Sequence, residues 1–235
     1  MRRGSEIRLT LRALSLLLTY PSADLQANVG EIRAALRSER ALSSRTLKHL
    51  EPLLQRLESE DLLDLQSDYS ELFDSSRTLS LHLFEHVHGD SRERGQAMVD
   101  LGEHYLEEGF AIEAAELPDF LPLFLEFLSL CEPAKARDWL AQPAHVLAAL
   151  EERLLERASP YAAIFHALIT LARGKPDPEA VAELQEHYRA AKSRTLDQEW
   201  EDAPVDFAVP LAQEGSGVIA RIRAARRAVS EALKS

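Results

Sequence analysis

The chain has one cysteine, Cys131, which excludes an internal disulfide framework and a multi-cysteine zinc site. No run approaches the ~18 continuous apolar residues that a membrane-spanning helix needs, so membrane contact is expected only through a partner. No run alternates apolar and polar residues long enough to read as a strand, and leucine outnumbers valine and isoleucine together more than twofold. Neither a phosphate-cradling Gly-Lys-Ser/Thr loop nor a Gly-x-Ser-x-Gly elbow is present, and Cys131, beside Glu132 and Pro133, lacks the setting of a nucleophile. Basic residues are outnumbered by acidic ones. The 27 Lys and Arg against 39 Asp and Glu give a net charge of −12, which disfavours nucleic acid and favours a basic partner or simple solubility. Met1-Arg2-Arg3 hints at an export signal, but the apolar run from Leu11 to Leu18 is short, carries Arg12 and lacks a small-residue cleavage site.

What is present is helical periodicity. The 235 residues, 46% apolar, suffice for a core of ordinary size. Ile7, Leu11, Leu14 and Leu18 share one face of a first helix ending before Pro21, and Leu25, Val29, Ile32 and Leu36 repeat the stripe. A third helix is expected around Leu47 to Leu57, started or kinked by Pro52, and a fourth carries Leu62, Leu65, Tyr69, Leu72 and Phe73. After Asp74 the pattern lapses. Asp90 or Ser91 suits the cap of a helix bearing Met98, Leu101 and Tyr105 and stopped by Gly109. Asp119 and Pro122 suit the first turn of an apolar helix through Phe120, Phe124 and Phe127. Ser159-Pro160 and Asp177-Pro178 read as two further helix starts, the first ended by Gly174, with Tyr161, Ile164, Phe165, Leu168 and Leu171 inward in one and Val181, Leu184 and Tyr188 in the other. The expected fold is all-α, a single-domain bundle of about ten helices over residues 1–215. Residues 216–235 stand apart as a basic terminal helix or tail, with a stripe of Val218, Ile222, Val229 and Leu233 among five basic residues.

One pattern points to an enzyme. His82-Leu83-Phe84-Glu85-His86 matches the H-x-x-E-H arrangement in which two histidines one helical turn apart hold zinc and the glutamate acts as base. It demands a continuous helix, whereas Gly89 and the cap-like Asp90-Ser91 follow at once, and a third ligand that only Glu103, Glu107 or Glu126 could be nominated to supply. A non-catalytic regulatory helical protein is the other alternative.

The segment FEHVHGDSRERGQAMVDL, Phe84 to Leu101, resembles a signature of the NarJ family of chaperones, part of the wider TorD/DmsD group. YSELFD (69–74), ELPDFLPLFLEFL (116–128), SPYAAIF (159–165) and TLDQEW (195–200) extend the resemblance in order. One departure is Phe120, where the family pattern resembles Pro-Asp-His-Leu. The resemblance implies a cytoplasmic, non-enzymatic helical bundle serving respiratory nitrate reductase. It would bind the amino-terminal segment of the apo catalytic subunit and permit insertion of iron–sulfur and molybdenum cofactors before membrane docking. It implies no tightly bound cofactor or metal, contact with molybdenum cofactor only through the client, and cofactor-biosynthesis proteins as further partners. Tyr69, Phe73, Phe84, Glu85, His86, His88 and Asp119 are the candidate peptide-binding residues: the aromatics for contact area, the carboxylates to meet cations on an amphipathic basic helix.

Overall fold

The computed structural model describes residues 6–193 other than 76, 90 and 113–115, so TLDQEW and the expected basic helix or tail at residues 216–235 lie outside the described residues. Among the described residues there are twelve α-helices and one 3-10 turn, somewhat more than the ten expected, and no strand. One buried cluster, running from Ile7 to Leu171, serves them all.

Helix α1, Arg8–Leu17, buries the predicted stripe of Ile7, Leu11, Leu14 and Leu18. No residue of its own caps it. The Glu39 carboxylate does so, accepting from the N–H groups of Leu9 (3.0 Å) and Thr10 (2.8 Å) and from the Thr10 hydroxyl (2.8 Å), which satisfies donors that have no partner within the helix. The stripe of Leu25, Val29, Ile32 and Leu36 is buried as expected, but it belongs to two helices, α2 (Ala23–Ala27) and α3 (Val29–Ser38), divided at Asn28. Helix α4, Ser44–Ser59, is capped by Ser43 and carries Pro52 in its interior, and α5, Leu62–Phe73, is capped by Asp61.

Beyond a 3-10 turn at Arg77–Leu79 come α6 (Leu83–His88) and α7 (Arg92–Glu107). Ser91 occupies the N-cap position of α7, yet its side chain accepts no capping hydrogen bond, and Asp90 lies outside the described residues. On α7, Leu101 and Tyr105 are buried and Met98 is half-buried; Gly109, at φ +78°, follows the helix end as predicted. Helix α8, Leu121–Leu130, is the apolar helix read from the sequence, but Asp119 does not cap it. Helices α9 (Pro133–Ala141), α10 (Ala144–Glu156), α11 (Ala162–Leu171) and α12 (Pro178–Ser193) complete the described residues. Helix α11 starts two residues later than Ser159-Pro160 suggests: the Ser159 hydroxyl accepts only a long 3.4 Å bond from the Tyr161 N–H, in a turn before the helix. The heaviest packing is α1 on α8 and α10 on α11, and the Ser15 hydroxyl fixes the first pair by donating to the Pro122 carbonyl at 2.7 Å.

Candidate functional site

The segment around α6 is tied to the entrance of α8 by a knot of backbone and side-chain bonds. His82 and Phe120 form an isolated antiparallel bridge, flanked by Leu83 N–H to the Asp119 carbonyl (3.0 Å) and Leu121 N–H to the Leu81 carbonyl (2.8 Å). At its centre Asp119 is fully buried. One carboxylate oxygen lies 3.1 Å from His82 Nδ1; the other accepts from the Phe84 N–H at 3.1 Å and stands 3.9 Å from the Arg94 guanidinium. Arg94 in turn pairs with Glu85 at 3.1 Å. Asp119 therefore caps α6 from a distant part of the chain, which corrects its assignment to α8. The bond from Asp119 raises the His82 pKa above the ordinary value, against an opposing effect of burial.

A second anchor holds α6 from behind. His86 Nε2 lies 2.8 Å from the Ser80 carbonyl, so it carries the proton, and Nδ1 is left to accept from Arg153 at 3.4 Å. Arg153, itself buried, also donates to the carbonyls of Thr78 (2.9 Å) and Leu184 (2.6 Å) and to the Gln185 side chain (3.3 Å), with its guanidinium 4.8 Å from the Tyr188 ring centre. Burial pushes the His86 pKa down, and the neighbouring Arg153 charge acts in the same direction.

The zinc pattern does not assemble. His82 lies outside α6 in extended backbone, both ring nitrogens of His86 are engaged, one of them by a cation, and among the described residues no group of three His, Cys, Asp or Glu has metal-site geometry.

Beside the knot, α1, the end of α5 and the start of α8 enclose a groove of about 570 Å³. Leu16, Tyr20, Tyr69, Phe120, Pro122 and Leu123 give it apolar surface, and Leu16 and Tyr20 are 43% and 50% exposed. Asp74, Glu116 and Glu126 stand exposed on its rim, none of them in an ion pair with a described residue, and Arg12 and His82 are the basic side chains among the described residues of its lining. An apolar floor under unpaired carboxylates has the chemistry to take a helix with one greasy and one basic face.

Of the seven candidate residues, Tyr69 lines this groove, its ring against Tyr20 (5.5 Å), Phe73 (4.9 Å) and Tyr161 (6.3 Å), and its hydroxyl donating to the Leu18 carbonyl at 2.8 Å. Phe73 is buried behind it. Phe84 and His88 meet edge to face at 5.8 Å, half-buried, on α6. Glu85, His86 and Asp119 are engaged inside the knot and its rear anchor, which reach the groove through His82 and Phe120. Sequence reasoning missed Arg12, Leu16 and Tyr20. Their signal was present, since Leu9, Leu16 and Tyr20 are apolar residues off the buried stripe of the first helix, and all three are exposed.

These features define an all-α, single-core protein with an acid-rimmed groove. The family described as nitrate reductase delta subunit matches residues 22–167. The nitrate reductase molybdenum cofactor assembly chaperone NarJ of Escherichia coli (strain K12) is 42% identical over 205 residues, covering 87% of this chain and 86% of that protein. The probable chaperone NarW of the same strain is 37% identical over 198 residues, 84% of this chain and 83% of its own length. The probable NarJ of Bacillus subtilis (strain 168) is 30% identical over 165 residues, 69% of this chain and 87% of that one. A solved structure of a putative redox enzyme maturation protein from Archaeoglobus fulgidus is 24% identical, with a TM-score of 0.49 over 72% of this chain and 94% of that chain. The chain belongs to the nitrate reductase delta subunit family.

Proposed function

We propose that the protein is a dedicated, non-catalytic maturation chaperone for a respiratory nitrate reductase. It acts in the cytoplasm on the apo catalytic subunit, whose amphipathic, net-basic amino-terminal segment it holds while iron–sulfur and molybdenum cofactors are inserted and before the complex docks at the membrane. The reading is supported by relatives at up to 42% identity that are named molybdenum cofactor assembly chaperones. The observation that carries its mechanism is the groove itself, with exposed Leu16 and Tyr20 ringed by the carboxylates of Asp74, Glu116 and Glu126, which form no ion pair among the described residues. Tyr20, Leu16 and Phe120 supply contact area, Tyr69 and Phe73 form the wall behind them, and the carboxylates steer a cationic helix and fix its register. Glu85, His86 and Asp119 act from behind by holding Phe84, His88 and His82 in place. The molybdenum cofactor is met only through the client or through the proteins that synthesise and deliver it.

Calorimetric titration of a synthetic peptide of the client's amino terminus against the full chain tests this. Tyr20→Ala and a Glu116→Gln/Glu126→Gln double variant should each weaken binding by roughly tenfold while circular dichroism is unchanged. Equal affinity in all three proteins would place the client elsewhere on the surface.

A further inference from the structure

The basic segment at residues 217–235 plays no part in the reading above. It carries Arg221, Arg223, Arg226, Arg227 and Lys234 against one acid, Glu231, in a chain of net charge −12. Val218, Ile222, Ala225, Val229 and Leu233 recur at steps of four, three, four and four, which would place them on one face of a helix. The segment thus has the chemical character that the groove selects: apolar on one side, cationic around it. We infer that residues 217–235 dock as an amphipathic helix in the acid-rimmed groove of their own chain and are displaced when the client's segment arrives. The inference rests on the groove being the client's site, and it names a second, internal occupant for that site.

Two physical arguments favour this occupant. The first is charge: among the described residues the groove sets three carboxylates outside any ion pair against Arg12 and the Asp119-bound His82, and the segment offers five cations. The second is reach. The 23 residues from 194 to 216 separate the end of α12 from the segment. Extended, they span roughly 75 Å, and as a flexible chain about 28 Å on average, whereas a domain of this size has a radius of gyration of about 16 Å. Every face of the bundle is therefore within reach of the tether. At such tether lengths the effective concentration of the segment at the groove is on the order of millimolar, so even a weak internal contact competes with a client supplied at micromolar concentration. A tight client peptide still wins, and a poorly matched basic peptide does not, so the internal helix acts as a filter on what the groove accepts.

The test keeps the full chain. A tail-reversed variant, Arg221→Glu/Arg223→Glu/Arg226→Glu/Arg227→Glu, leaves every described residue untouched. A synthetic peptide of residues 217–235 titrated into it should bind, and Tyr20→Ala added to the same variant should weaken that binding by about fivefold or more. The tail-reversed chain should also bind the client's peptide about threefold or more tightly than the natural chain. Failure of the 217–235 peptide to bind, binding insensitive to Tyr20→Ala, or binding only to anionic lipid vesicles would each overturn the inference. These outcomes separate from failure of the proposed function, which is read from the client peptide alone: a client that binds both chains equally and loses affinity with Tyr20→Ala leaves the chaperone reading standing and removes the internal competitor.

Discussion

Asp119 and Phe84 stand 35 residues apart in sequence, yet the carboxylate of one accepts the backbone N–H of the other at 3.1 Å. Helix α6 has six residues and no cap of its own, and a helix that short does not hold in water without tertiary support. Removing the carboxylate strips the cap and leaves His82 and Arg94 facing an empty acceptor site. Asp119→Ala should therefore lower stability by about 2 to 4 kcal/mol, and Asp119→Asn, which keeps an acceptor, by less than half of that. Urea denaturation at neutral pH measures both, and equal losses would show that charge rather than capping carries the effect.

The histidines of this region respond to pH in opposite directions. The folded pKa of His86 lies below its ordinary 6.5, so its contribution to stability is present above that value and is lost as pH falls through the folded pKa. The folded pKa of His82 is raised, so its contribution is present below 6.5 and is lost as pH rises through the folded pKa. His86→Gln removes the first effect while keeping a donor for the Ser80 carbonyl. Compared over about pH 5 to 8, the natural protein should lose stability toward acid more steeply than the variant. Parallel curves would remove His86 as the responsive group.

Arg153 joins the turn before α6 to α12 through two carbonyls and one side-chain amide. Lysine lacks the planar fork needed to reach all three. Arg153→Lys should thus cost about 1 to 3 kcal/mol and Arg153→Met about as much or more, since each withdraws a charged donor from one buried and two part-buried acceptors. Hydrogen exchange should quicken at the amides of residues 78–88 and 184–188 together; quickening in one segment alone would show that Arg153 does not couple them.

Tyr69 and Tyr20 are in contact but should separate by function. Tyr69→Phe deletes the bond to the Leu18 carbonyl and should cost about 1 to 2 kcal/mol of stability, with little change in peptide affinity. Tyr20→Ala should leave stability within about 0.5 kcal/mol and weaken the peptide. For the natural chain, affinity should also fall as salt rises, and less steeply once Glu116 and Glu126 are neutralised. Paired calorimetry and denaturation of the two tyrosine variants decide it.

The helices were legible wherever one face is buried against one core. Ile7 to Leu18, Tyr161 to Leu171 and Asp177-Pro178 are read correctly because periodicity and capping are local signals. The break at Asn28 was hidden, because Leu25 and Ile32 point into the same core on either side of it and the apolar spacing runs through unchanged. Asp119 was assigned to the helix it precedes because local rules assign a cap to the next helix, whereas the donors it satisfies lie 35 residues upstream. The groove was half legible. Tyr69, Phe120 and Glu116 fall in the motif segments, but Arg12 and Leu16 come from α1 and Tyr20 from the residues just after it, and only the packing of α1 on α8 brings them alongside.

That packing also sets an order of events during synthesis. Ser15 meets Pro122 across 107 residues, so α1 leaves the ribosome long before its main neighbour exists. Until residues 121–130 emerge, Leu11, Leu14 and Leu17 have no α8 to cover them, and the loop that must close is among the longest in the molecule, which slows this step relative to the local pairing of α10 with α11. A nascent chain halted before α8 has the first helix and no groove. The groove is therefore completed late, by the joining of α1 to the middle of the chain.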